Sequence, residues 1–247
     1  MPATVLQAAV AGCTAALGLF AGGLWHASES PTSQLFGRTL VAGNDPNEFA
    51  LTFDDGPNPI ATSQLLEVLA RHQVKATFFA IGKYVRQHPA LARQIVAEGH
   101  ILGNHTMTHP RLSLESEASI REELTGCNAV LSEITGAPIR YFRPPFGARR
   151  PIVLRIAREL GLIPVLWNVT AYDWDPVGPH RIYSNLQQGV ARNQRSRRGS
   201  NLLLHDGGHS AMGSPRNDTV LAVDRFLNER RTPPPRYVTV DAWSRYA

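Results

Sequence analysis

In the stretch Leu51-Thr52-Phe53-Asp54-Asp55-Gly56-Pro57 an apolar run stops at two adjacent carboxylates, a glycine and a proline. A run rich in β-branched and aromatic residues that ends at Gly-Pro reads as a buried strand handing its last side chains to a loop. Neighbouring carboxylates disfavour one another's ionisation, so the pair calls for a metal ion, an arginine or a shared proton. The same residues also suit a turn that caps the following helix, since Asp tolerates turn geometry. Farther on, His105-Thr106-Met107-Thr108-His109 sets two imidazoles at i and i+4. If that segment is helical, both lie on one face. Two histidines and a distant carboxylate form a set that leaves metal positions open for water and substrate. Read alone, the pair equally suits a helix start near Pro110, with one imidazole capping and the other solvated. Thr106 stands where a His-Glu-x-x-His protease helix needs Glu. Gly208-His209-Ser210-Ala211-Met212 lacks the second glycine of a nucleophile elbow, and no Gly-x-x-x-x-Gly-Lys phosphate loop occurs. These exclusions leave metal-assisted attack by water.

Chemistry of that kind needs strands that deliver their ends to one place. Strands are expected at 49–53, 76–81, 100–103, 139–142, 162–169 and 201–204, with a further one at 237–240. Amphipathic helices are expected at 60–72, 89–98, 116–134, 151–160, 180–192 and 218–230, with Gly99 and Gly161 just past two of the ends. Strand–helix alternation implies right-handed βαβ units and a parallel sheet. Six or seven such units without a dinucleotide fingerprint indicate a closed or nearly closed barrel, whose chemistry gathers at the C-terminal strand ends. The expected ends carry Asp54-Asp55, then Asn104-His105 with His109, then Arg143-Pro144-Pro145-Phe146, Asp173-Trp174 and His205-Asp206. A random distribution would scatter such side chains over both rims.

The chain of 247 residues is long enough for one such barrel, and its 43% hydrophobic and 18% charged residues are those of a globular protein. A net charge of +5 comes almost wholly from arginine, Lys75 and Lys83 being the only lysines. That balance suits an anionic polymer, and genomic codon bias would produce it as well. Cys13 and Cys127 make no disulfide framework. Residues 1–28 carry no charged side chain, and the apolar run 5–27 is long enough to span a bilayer. It lacks a basic n-region, and Val10-Ala11-Gly12-Cys13 resembles a lipobox with too few apolar residues before it. The expectation is a signal or membrane anchor over 1–28, a polar linker over 29–46 and a catalytic domain over 47–247, placed outside the cytoplasm.

Five segments stand together in order: Thr52-Phe53-Asp54-Asp55-Gly56-Pro57, His105 to His109, Phe142-Arg143-Pro144-Pro145-Phe146-Gly147, Asp173-Trp174 and Leu202-Leu203-Leu204-His205-Asp206. In sequence and spacing they resemble the motifs of the polysaccharide deacetylases, which share the NodB-homology domain. The resemblance implies an α/β fold, a distorted TIM-like (β/α)7 barrel, here preceded by the apolar N-terminal helix. It implies Asp54 as general base, held in place by Arg143, and Asp55, His105 and His109 as ligands of one divalent metal ion. Zn2+ is the expected ion, with Co2+ or another divalent ion as alternatives. The backbone N–H of Phe146 would serve as oxyanion donor and His205, oriented by Asp173, as general acid. Trp174 and Leu204, with Pro145 beside Phe146, would line the substrate pocket. Two positions depart from the family pattern: Thr170 stands where Asp is frequent, and Phe146 where Tyr is frequent. His209 reads as a solvated loop residue, His72, His88, His100 and His180 as surface or helix-end residues, and Trp167 as core. The implied activity is removal of acetyl groups from N-acetylated sugars of a peptidoglycan- or chitin-like polymer. Alternatives are an acetylxylan O-deacetylase, a small-molecule amidohydrolase or a non-catalytic carbohydrate-binding relative. The expected partners are that glycan and, through residues 5–27, a membrane, with no nucleic acid and a monomeric state.

Overall fold

The structure, a computed structural model, describes residues 22–23 and 27–246. Strand β1 (Glu48–Asp54) is its axis. Because the sheet is covered on both sides, β1 is buried along its whole length and shows no polar face. Its period of two survives in what each side chain meets. Phe49, Leu51 and Phe53 point outward into the large core beneath the helices, while Ala50, Thr52 and Asp54 alternate to the opposite, barrel-lining face.

Around β1 the strands β2 (Thr77–Ala80), β3 (Ile101–Asn104), β4 (Tyr141–Phe142), β5 (Ile163–Pro164), β6 (Val169–Thr170) and β7 (Ser200–His205) form a parallel sheet in the order β5-β4-β3-β2-β1-β7-β6. A short β8 (Arg236–Tyr237) pairs with the foot of β1. The register sets the site. Asp54 lies opposite Phe79 on one side and His205 on the other, and Asn104 lies opposite Phe142. The residues that follow these strands, Asp55, His105 and Arg143, therefore emerge on one rim.

Helices α1 (Ala61–Arg71), α2 (Gly82–Gln87), α3 (Pro89–Ala97), α4 (Glu117–Thr135), α5 (Pro151–Glu159), α6 (Pro179–Arg195) and α7 (Asn217–Asn228) cover the outside. In α1 the buried stripe is Leu65, Leu66, Val68 and Leu69, the i, i+3, i+4 pattern that an amphipathic helix presents to a sheet. Asn58 caps it, its Oδ1 accepting the Ile60 and Ala61 N–H groups. The short α2 had no periodic signal in the sequence, being a six-residue turn of chain between β2 and α3.

The barrel is distorted where one expected strand is divided. Residues 162–169 form not one strand but β5 and the start of β6, because Leu40 takes the pairing edge between them. Its N–H bonds Pro164 O at 2.8 Å, and its carbonyl receives the Leu166 N–H at 2.8 Å. Stretch 29–46 is thus packed against the barrel: Leu40 is fully buried, and the Arg149 guanidinium binds the carbonyls of Ser28, Ser30 and Ser33. At the far end the 3-10 segment Val240–Tyr246 inserts the buried Trp243, whose Nε1 donates to the Glu48 carboxylate. His100, expected at the surface, is buried with Nδ1 accepting the Ala76 N–H, and burial pushes its pKa down to about 4. The expected apolar N-terminal helix and membrane segment 5–27 fall largely outside the described residues. No helix among the described residues is long and apolar enough to cross a membrane.

Candidate active site

The segment from His105 to His109 is a tight turn rather than the helix its spacing suggested. Thr106 and His109 adopt left-handed conformations at φ 67° and 71°, a cost for non-glycine residues that surrounding bonds must offset. Asn104 Oδ1 accepts the Thr106 N–H at 2.7 Å, and Thr106 Oγ1 accepts the His109 N–H at 3.0 Å. Glu123 Oε2, reaching over from α4, accepts the N–H groups of Met107 and Thr108. So folded, the chain doubles back and brings the two rings to 4.9 Å between centroids.

Asp55, itself left-handed at φ 73°, turns its carboxylate toward them. Its Oδ1 lies 3.1 Å from His109 Nε2 and 3.4 Å from His105 Nε2. Oδ2 instead accepts the His209 N–H at 3.2 Å. His105 Nδ1 sits 2.8 Å from Arg143 O, so that nitrogen carries the proton and Nε2 keeps its lone pair. Asp55 Oδ1 and His109 Nδ1 are buried with no hydrogen-bond partner. An orphaned carboxylate oxygen facing two imidazoles fits one divalent cation, with three protein ligands and room for a further one. Burial works to raise the Asp55 pKa, but the neighbouring His105, His109 and His209 side chains outweigh it and hold it well below the usual range. Burial lowers that of His109. Both groups are thus in the form that binds metal at neutral pH.

Asp54 faces inward from the last position of β1. Its Oδ1 is 2.8 Å from Arg143 Nη1 and its Oδ2 is 3.9 Å from His105 Nε2. Arg143, fully buried, lies over the Phe79 ring at 4.2 Å and gives a second Nη1 bond to Thr52 Oγ1 at 2.8 Å. The adjacent carboxylates occupy two environments: Asp54 on an arginine, Asp55 beside two imidazoles.

On the opposite wall His205 Nδ1 bonds Asp173 Oδ1 at 2.8 Å. Asp173 Oδ2 accepts the His205 backbone N–H at 2.8 Å and the Thr219 hydroxyl at 2.9 Å. Burial acts to lower the His205 pKa, yet the Asp173 carboxylate, helped by Asp55 and Asp54, prevails and raises it to about 9. The Trp174 ring stands edge-on to the imidazole at 5.4 Å. Thr170 makes no contact with this dyad in the hydrogen-bond network; its Oγ1 accepts the Trp167 indole N–H at 3.0 Å.

Asp54, Asp55, His105, His109 and His205 line a cavity of about 530 Å3 together with Phe146, Trp167, Trp174 and Leu203, while Arg143 and Asp173 stand behind that wall. Two expected substrate residues lie elsewhere. Leu204 is turned into the outer core, since successive β7 side chains alternate and Leu203 takes the cavity side. Pro145 is buried in the turn Pro145–Gly147, off the cavity wall, where it shapes the left-handed Phe146. Trp167, expected as core, reaches the cavity, and His209 stacks on the His109 ring at 4.6 Å rather than being merely solvated. Arg111 and Glu29 also line the wall and carried no sequence signal. The loop holding His209 is pinned at Gly207, where an added Cβ would stand 2.2 Å from Asp55 O. Gly207→Ala is therefore expected to displace Asp55, weakening divalent-metal binding at least about tenfold and lowering stability by about 1–3 kcal/mol. Zinc titration and thermal melting check this, and wild-type affinity would refute it.

A buried carboxylate with two imidazoles, an arginine-held carboxylate and a protonated imidazole, gathered at the strand ends of a parallel barrel, define a hydrolase that activates water. The sequence profile described as Polysaccharide deacetylase matches residues 42–165, and the chain belongs to that family of deacetylases. It is 45% identical over 158 residues to a chitooligosaccharide deacetylase of Bradyrhizobium, covering 64% of this chain and 69% of that one. To a peptidoglycan-N-acetylglucosamine deacetylase of Bacillus cereus it is 36% identical over 210 residues, or 84% of this chain and 93% of the relative. Among solved structures, a peptidoglycan N-acetylglucosamine deacetylase superposes with a TM-score of 0.74 at 31% identity, covering 83% of this chain and 91% of that one. A family 4 pseudoenzyme from Bacillus anthracis superposes at 0.70 with 25% identity, covering 84% of this chain and 66% of its own.

Proposed function

We propose that this chain hydrolyses the N-acetyl group of N-acetylglucosamine units in an oligo- or polysaccharide, using one divalent metal ion, zinc in the first instance, held by Asp55, His105 and His109. The observation that carries the reading is the buried, unpartnered Asp55 Oδ1 between two imidazoles, beside a second carboxylate fixed by Arg143. When bound, such an ion supplies Lewis acidity, polarising the amide carbonyl and bringing a water's pKa to roughly 7. Asp54, tied at Oδ1, offers Oδ2 to take the proton from the attacking water. The hydroxide oxygen joins the carbonyl carbon, and the Phe146 N–H would donate to the oxygen that becomes negative. His205, protonated and fixed at Nδ1, passes its Nε2 proton to the nitrogen as the C–N bond breaks. Acetate and a free amine leave. Leu203, Trp167 and Trp174 give the acetyl methyl an apolar wall.

The names of the relatives point to N-acetylglucosamine polymers, and the charge-free first 28 residues support action outside the cytoplasm at a membrane. The test is acetate release by the purified protein from chitooligosaccharide, peptidoglycan and acetylxylan, with chelator and with added zinc. Release from the first or second, abolished by chelator and restored by zinc, is expected. Release from acetylxylan alone would move the reading to ester hydrolysis, and none at all would overturn it.

A further inference from the structure

We infer that Glu29 and Arg111 form a second carbohydrate position beside the catalytic cavity, taking a sugar unit next to the one that loses its acetyl group. The inference rests on the deacetylase reading above. Both side chains line the same cavity as Asp55 and His109. Arg111 Nη1 bonds the two Glu29 oxygens at 3.0 and 2.9 Å, and its guanidinium lies over the Phe146 ring at 4.5 Å. That ring in turn meets His109 edge-on at 4.7 Å, so contacts run unbroken from Glu29 to the metal ligands.

The pair is only partly used. Among the described residues the Arg111 Nη2 and Nε groups make no hydrogen bond, and each Glu29 oxygen keeps lone pairs to spare. The side chains are 34% and 26% exposed, open enough to meet a ligand. A guanidinium and a carboxylate held at one spot give donors and acceptors for sugar hydroxyls, and charge assistance strengthens such bonds. As an ion pair at the rim it contributes little to stability, so folding does not account for its placement.

Its position is nonetheless built. Arg149, 1% exposed, gives its N–H groups to the carbonyls of Ser28, Ser30, Ser33 and Gly147, while the Ser28 hydroxyl bonds Arg149 O at 2.7 Å. This staple locks the segment bearing Glu29 to the turn bearing Phe146. Glu29 lies in the N-terminal segment, ahead of the family match of residues 42–165.

The test is kcat and KM on N-acetylglucosamine oligomers of two to five units for wild type, Glu29→Ala and Arg111→Gln, with zinc content as the check on folding. KM for the four- and five-unit chains is expected to rise about tenfold in each variant, with kcat nearly constant and the two-unit substrate affected less than about twofold. An equal rise at every length, or a fall in kcat at every length, would make the pair a prop for Phe146 and overturn the inference, as would unchanged kinetics. Absence of acetate release by wild type at any length would instead remove the deacetylase reading, and the inference with it.

Discussion

Asp54→Asn is expected to lower acetate release by about 10³-fold, the scale of a lost general base, while zinc remains bound at one equivalent. Asparagine keeps the shape of the side chain and an acceptor toward Arg143 Nη1, 2.8 Å away, but has no second oxygen that can accept the water's proton. Metal retention follows from the distances. Asp55 Oδ1 lies 3.1 and 3.4 Å from the two imidazoles, whereas Asp54 approaches His105 only to 3.9 Å. The substitution also leaves Arg143 fully buried without its counter-charge, a change that typically costs about 3–5 kcal/mol. Melting must therefore be measured alongside, and rates taken well below the transition. Asp55→Asn separates the roles: it should empty the site. Zinc lost from Asp54→Asn but kept in Asp55→Asn would exchange base and ligand.

How much of this arrangement the sequence discloses depends on the kind of signal each residue leaves. Asp54 and Asp55 are legible because carboxylates interrupt an apolar run, and the parallel barrel then forces every such interruption to one rim. The His105 and His109 pairing is legible by spacing, though the helix that spacing implies is absent; a five-residue turn, capped by Glu123 of α4, achieves the same convergence. Leu202-Leu203-Leu204 is opaque for a physical reason. In a strand buried on both faces, alternation leaves no polar mark, so nothing in the residues says that Leu203 rather than Leu204 meets the cavity.

Other features need contacts that no local pattern encodes. His209 sits in a Gly-Ser loop, and its stack on His109 exists because its own N–H is tied to Asp55 and Tyr84 Oη binds the adjacent carbonyls. The interrupted fifth strand depends on Leu40, more than 120 residues away in the chain, claiming the edge beside Val165. The segment bearing Glu29 is held at the cleft by Arg149, a residue whose four carbonyl bonds are invisible in one dimension. The pseudoenzyme among the structural neighbours shows that this fold alone does not confer activity. In this chain the weight falls on side chains that are present and mutually placed: Asp54 on Arg143, Asp55 between two imidazoles, His205 on Asp173.

Asp173→Asn is expected to move the alkaline limb of the pH–rate profile from about 9 down toward the ordinary histidine value of about 6.5. At pH 8 the protonated fraction of His205 would then drop from about nine-tenths to about 3%, so the rate should fall about 30-fold there while changing far less at pH 6. His205→Ala goes further, removing the acid and with it the limb itself, at a loss of about 10²–10³. The same pair ties stability to pH with a fixed sign. A histidine whose folded pKa is raised stabilises fully below about 6.5 and loses that contribution as pH climbs through about 9. Asp173, whose pKa burial tends to raise but His205 draws down, contributes above the ordinary carboxylate range and loses its share as pH falls through its lowered value. Wild-type melting temperature should thus decline between pH 6.5 and 9, and in Asp173→Asn that decline should flatten. With its oxygen toward the Thr219 hydroxyl and the His205 backbone N–H, the carboxamide preserves the packing around α7 and turns its NH2 to His205 Nδ1, so the imidazole loses its acceptor together with its counter-charge. An alkaline limb that stays at about 9 in Asp173→Asn would assign it to another group and remove His205 as the proton donor.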